Sequence, residues 1–164
     1  MRKNILILLL VFMVARLTAQ DFPCNDLKRV AGATANKQWE TLDAGKLEKS
    51  LIDGSPSFRK STIQLPGALE TRLYLPGAKG ARIFSWEALY NQYATDSTAN
   101  SNLFDQMAAE LKQCFPDLTW NYRPIPSLRY RRWIAPLTDK VTMTLNAFYA
   151  DQRKGWQVNI LINN

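Results

Sequence analysis

Residues 141–164 read VTMTLNAFYADQRKGWQVNILINN, and this stretch decides the fold class. Val141, Met143, Leu145, Ala147 and Tyr149 alternate with Thr142, Thr144, Asn146 and Phe148. After Asp151-Gln152-Arg153-Lys154-Gly155, Trp156, Val158, Ile160 and Ile162 alternate with Gln157, Asn159, Leu161 and Asn163. Successive side chains of a strand point to opposite faces, so this pattern predicts a β-hairpin with one apolar face. Trp120 to Pro136 lies just upstream. It is broken by Pro124 and Pro126 and is expected to end in a further strand.

Before that comes the strongest helical pattern of the chain, Ser101 to Phe115. Leu103, Phe104, Met107, Leu111 and Cys114 line one face, Asn100 or Ser101 can cap the start, and Pro116 stops the end. Leu65-Pro66-Gly67-Ala68 and Leu75-Pro76-Gly77-Ala78 are the same tetrapeptide ten residues apart. Pro followed by Gly suits the centre of a type II turn, so the pair is read as two corners of a sheet. Leu69, Thr71, Leu73 and Leu75 alternate between them as a half-buried strand, with Ser61 to Leu65 and Ala81 to Trp86 as its neighbours. Asp43 to Lys60 is turn-rich and reads mostly as loop. Cys24 to Leu42 predicts a first helix, with Leu27, Val30, Ala31, Thr34 and Gln38 on one side and Asn25 or Asp26 as cap.

The expected class is α+β: a two-layer sandwich in which a twisted, mainly antiparallel sheet carries two helices on one face. The expected order is α-β-β-β-α-β-β-β. Cys24 starts the first helix and Cys114 ends the second, so helices packed antiparallel would bring the two cysteines together. These are the chain's two cysteines, and a disulfide between them is expected.

The N-terminus supports that expectation. Met1-Arg2-Lys3-Asn4 is positive, Ile5 to Ala15 is an apolar run of 11 residues, and Leu17-Thr18-Ala19 ends on a small residue. That is the pattern of a cleavable secretory signal, too short for the roughly 20 residues that span a bilayer. The expected division is 1–19 signal peptide and 20–164 one domain, with no transmembrane span after cleavage. The chain would then work in the periplasm or outside the cell. Residues 1–19 hold three basic and no acidic residues, so the stated +7 becomes 18 basic against 14 acidic, or +4. An excess that small does not argue for nucleic acid.

The chain has no histidine. That removes Ser-His-Asp and Cys-His catalysis and the usual His-based zinc and copper sites. No catalytic, cofactor or metal-ligating residue is assigned. Ser57-Phe58-Arg59-Lys60 fits the S-x-x-K pattern of penicillin-recognising serine enzymes, but its S-D-N and K-T-G companions are missing. The segment that carries binding chemistry is Leu128 to Trp133, LRYRRW. In a strand Arg129, Arg131 and Trp133 share one face, and Leu128, Tyr130 and Arg132 the other. Arginines interleaved with Tyr and Trp can grip carboxylates or phosphates bidentately and stack on flat groups. Trp120, Tyr122 and Arg123 extend the same character. Phe84, Trp86, Leu89, Tyr90 and Tyr93 form a second aromatic group, read as core or as the wall of a pocket between sheet and helices.

The leading expectation is a non-enzymatic exported binding module. It would recognise a protein or an anionic envelope component through Arg129, Tyr130, Arg131, Arg132 and Trp133. Two others compete with it. One is a carrier of a small apolar ligand between sheet and helices. The other is a small hydrolase, which needs two carboxylates facing each other across a cleft.

Overall fold

The structure, a computed structural model, describes residues 22–48, 58–75, 84–151 and 154–164. The expected signal segment and the second Pro-Gly turn lie outside them, as does Ser57 of the S-x-x-K pattern.

Two helices, α1 (Cys24–Ala35) and α2 (Ser97–Cys114), each precede a four-strand meander. The first contains β1 (Asp43–Glu48), β2 (Phe58–Ser61), β3 (Glu70–Tyr74) and β4 (Ser85–Tyr90). The second contains β5 (Asn121–Ile125), β6 (Tyr130–Pro136), β7 (Thr142–Ala150) and β8 (Gly155–Asn163). All eight join one sheet in the order β1-β2-β3-β4-β8-β7-β6-β5, and every pairing is antiparallel. The last strand of each meander meets the other at the centre. The α+β class, the single antiparallel sheet and the alternation of helices with groups of strands are as the sequence predicts.

The β7–β8 hairpin sets the core. Met143 faces Ile162, Leu145 faces Ile160 and Ala147 faces Val158, on the side to which both helices pack. Leu27 and Val30 of α1, Phe104 and Leu111 of α2 and Trp86 of β4 join them, all essentially inaccessible to solvent. Cys24 and Cys114 are bonded, with Cα atoms 5.2 Å apart. Among the described residues no helix is long and apolar enough to cross a membrane.

Local structure departs from expectation at the ends of elements. α1 stops at Ala35 instead of continuing to Leu42. Lys37 takes a positive φ of 57°, its N–H donates to Thr34, and the Gln38 N–H donates to Ala33. Those two bonds close the helix in a Schellman pattern. The chain then makes a short 3₁₀ turn over Trp39–Leu42, which stacks Trp39 on Phe84 with ring centroids 5.2 Å apart. α2 starts before its expected cap, because the Asp96 carboxylate accepts from the N–H groups of Thr98 and Ala99, both at 2.9 Å. The segment read as loop contributes β1 and most of β2, whereas Ile63 and Leu65 are buried outside any strand. They lead into the Pro66-Gly67 turn, where Gly67 takes φ 74° and the Ala68 N–H donates to Leu65.

Candidate functional site

The β5–β6 hairpin positions the residues singled out from the sequence. Pro126–Leu128 forms a 3₁₀ turn between the strands, and Arg129 follows it in left-handed backbone with φ 47°. The alternation expected of LRYRRW holds along β6. Arg131 and Trp133 point to the helix side; Tyr130 and Arg132 point to the far face of the sheet.

On the helix side these residues bind the hairpin to α2. Arg131 donates to the Ser101 hydroxyl at 3.0 Å, lies 3.7 Å from the Asp105 carboxylate and sits 4.5 Å from the Phe104 ring centroid. Lys112 places its ammonium 3.4 Å from the Trp133 ring centroid, and Tyr122 packs on the same indole. Arg129 lies exposed over Tyr149, 5.2 Å from the ring centroid.

The far face carries a different set. One row of the sheet reads Arg123, Arg132, Asn146, Asn159, Leu89 and Glu70, taken straight across β5, β6, β7, β8, β4 and β3. The Tyr130 hydroxyl donates to the Asn146 side-chain carbonyl in a short hydrogen bond. Asn146 donates to Asn159 at 2.7 Å, and Asn159 donates to Glu87 at 2.5 Å. Each hydrogen bond in this chain donates in the direction of the Glu87 carboxylate. The direction fixes the amide orientations and leaves Tyr130 no proton for another acceptor.

The two carboxylates that converge here, Glu70 and Glu87, do so on Arg72. The Arg72 guanidinium donates to Glu70 at 2.7 Å and lies 3.6 Å from Glu87, with its side chain only 3% exposed. Burial works to lower the Arg72 pKa, but Glu87, Tyr74 and Glu70 outweigh it and raise it from the ordinary arginine value. The cluster is an ion triad around a buried arginine, and the hydrolase arrangement of two acids across a cleft is not what it presents. Among the described residues no three His, Cys, Asp or Glu side chains group as metal ligands.

At the other end of the row, Arg123 and Arg132 face each other across β5 and β6. Like charges directly opposite one another on a sheet are destabilising. Neither arginine has an acid within ion-pair distance among the described residues. Arg123 is exposed, while the Arg132 Nε is buried and makes no hydrogen bond. Arg132 instead lies over Tyr130, 5.9 Å from its ring centroid. Gln157, on the same face and 3% exposed, likewise leaves its Nε2 unpartnered. Sequence reading did not find Asn146, Asn159, Glu87 or Gln157. Their signal is their place at the polar positions of the alternation, which also fits plain solvent exposure.

A cavity of about 590 Å³ opens on the helix side, at the end of β4. Tyr90 and Tyr93 line it, together with Leu103, Met107 and Glu110 of α2. The rest of the aromatic group lies elsewhere: Phe84 and Trp86 are in the core, and Leu89 is buried on the far face. Burial and the neighbouring Glu110 carboxylate push the Tyr90 phenol well above the ordinary tyrosine value.

No protein-family model matches the chain, and no curated protein is significantly similar to it.

Proposed function

We propose that this chain is an exported, non-enzymatic recognition module that holds an anionic group of its partner on the far face of the sheet, at Arg123 and Arg132. The observation that carries the reading is the pair itself: two arginines at paired register positions with no acid in ion-pair distance among the described residues, one with a buried, unpartnered Nε. A buried donor left unmade costs about 1–3 kcal/mol. A carboxylate or phosphate bound at the exposed Arg123 beside Arg132 would supply the counter-ion that the pair lacks among the described residues. The fixed Tyr130–Asn146–Asn159 chain beside it would hold the site in one arrangement. Arg131 and Trp133, which the sequence groups with this site, serve it by anchoring β6 to α2. Export is supported by the N-terminal sequence and by the Cys24–Cys114 bond.

Affinity capture from a native envelope extract tests the reading. The double change Arg123→Ser, Arg132→Ser is compared with Arg129→Ser. We expect a partner that elutes with salt to be retained by the native chain and by Arg129→Ser, and lost by the double variant. Equal retention by all three forms, or by none, would remove Arg123 and Arg132 as a recognition site.

A further inference from the structure

The cavity at the end of β4 has the opposite electrostatic character to the arginine pair and is independent of it. Its volume of about 590 Å³ suits a small molecule. Among the described residues Glu110 is the one charged side chain in its lining. The Glu110 carboxylate accepts from the Gln106 amide at 2.9 Å and has no lysine or arginine within ion-pair distance among the described residues. The other ionisable groups lining the space are the phenols of Tyr90 and Tyr93. Tyr90 stays protonated well past neutral pH, because burial and Glu110 both oppose its ionisation. The cavity therefore carries one negative charge.

Its remaining walls suit a cation as well. Phe22, Tyr90, Tyr93 and Met107 line the same space, together with Gln92 and Asn102. Aromatic faces attract cations through their quadrupole, by about 0.5–1 kcal/mol at exposed sites and about 2 when water is excluded. An apolar ligand would leave Glu110 and the amides facing hydrocarbon, which disfavours it. An anion would meet the carboxylate directly. We propose that this cavity binds a small organic cation, with its ammonium group set between Glu110 and the tyrosine rings.

Ligand-observed NMR and calorimetry on the exported protein test this with three probes. Choline and n-butylammonium are the cations; 3,3-dimethylbutan-1-ol is the uncharged isostere of choline. We expect both cations to bind saturably and the neutral alcohol to bind at least about tenfold more weakly. Glu110→Gln should weaken choline binding by about tenfold or more, Tyr93→Ala should weaken it less, and each variant should keep the native circular dichroism. The Arg123→Ser, Arg132→Ser variant should bind choline as the native chain does, so that failure of the far-face site and failure of this one are told apart. Absence of saturable binding by both cations would overturn the proposal. So would equal binding of the neutral isostere, or unchanged affinity in Glu110→Gln.

Discussion

Arg131 and Arg132 are adjacent in the chain and share a side-chain type, yet their surroundings have nothing in common. Arg131 is held by Ser101, Asp105 and the Phe104 ring on α2. Arg132 points through the sheet to the far face, where its Nε has no partner. A period of two produces this split, and the sequence shows it; which side is already occupied depends on where α2 lies. Tyr90 has a comparable dependence on its neighbours. Its phenol is raised by burial first and Glu110 second, so the folded chain prefers the neutral form more strongly than the unfolded chain does. Below the ordinary tyrosine value, near pH 10, both states hold the proton and the stabilisation is complete. Above it the unfolded chain gives up the proton first, so stability falls as the pH climbs. Thermal unfolding of native protein and Tyr90→Phe from pH 8 to 11 should show the native midpoint dropping more steeply; parallel curves would mean that Tyr90 titrates as an ordinary tyrosine.

Elements here are specified by their middles, and their ends are settled by single hydrogen bonds. The apolar stripe through Phe104, Met107 and Leu111 places α2, but Asp96, four or five residues before the expected Asn100 or Ser101 cap, starts it. Asp96→Ala should therefore lower unfolding stability by about 1 kcal/mol in urea titrations, the usual cost of losing an N-cap. A loss no larger than that of an exposed surface change would argue that the Thr98 and Ala99 N–H groups find water equally well. The two outer strands follow a related logic. β5 contains Pro124, which has no N–H to offer a further strand, and β1 is irregular, with Gly45 at φ 74° and a register shift between Asp43 and Leu47. Both features discourage edge-to-edge pairing. β1 falls in a stretch read as loop because Gly45 and its polar neighbours give no alternation.

At the scale of the whole molecule, the two halves repeat one plan: a helix followed by a four-strand meander, joined where β4 and β8 pair over six residues. The Cys24–Cys114 bond runs across this arrangement, from the first residue of α1 to the last of α2. It closes a loop of 90 residues, and loop-closure entropy values such a link at roughly 4.6 kcal/mol. Replacing both cysteines by serine should lower stability by about that amount in urea unfolding, with the denaturant dependence showing a more expanded unfolded state. A loss under about 1 kcal/mol would mean that the reduced unfolded chain keeps enough residual structure to hold this loop nearly closed.

The sequence by itself determined the α+β class, the β7–β8 hairpin with its inward face, the body of α2 and the cysteine pairing. Each follows from local periodicity, or from two cysteines at the ends of predicted helices. It also determined which residues of Tyr130 to Trp133 share a face of β6. Only the tertiary structure decided that Arg131 and Trp133 are taken up by α2, and that Arg132 stands against Arg123. It likewise decided that Asn146 and Asn159 form a line with Glu87. Those facts depend on how strands distant in the chain align, and register between β4 and β8 or between β6 and β7 leaves no mark in the spacing of either partner. The cavity holding Glu110 is decided in the same way. A glutamate on the polar side of a helix reads as solvated until the Pro66-Gly67 turn and the end of β4 are placed around it.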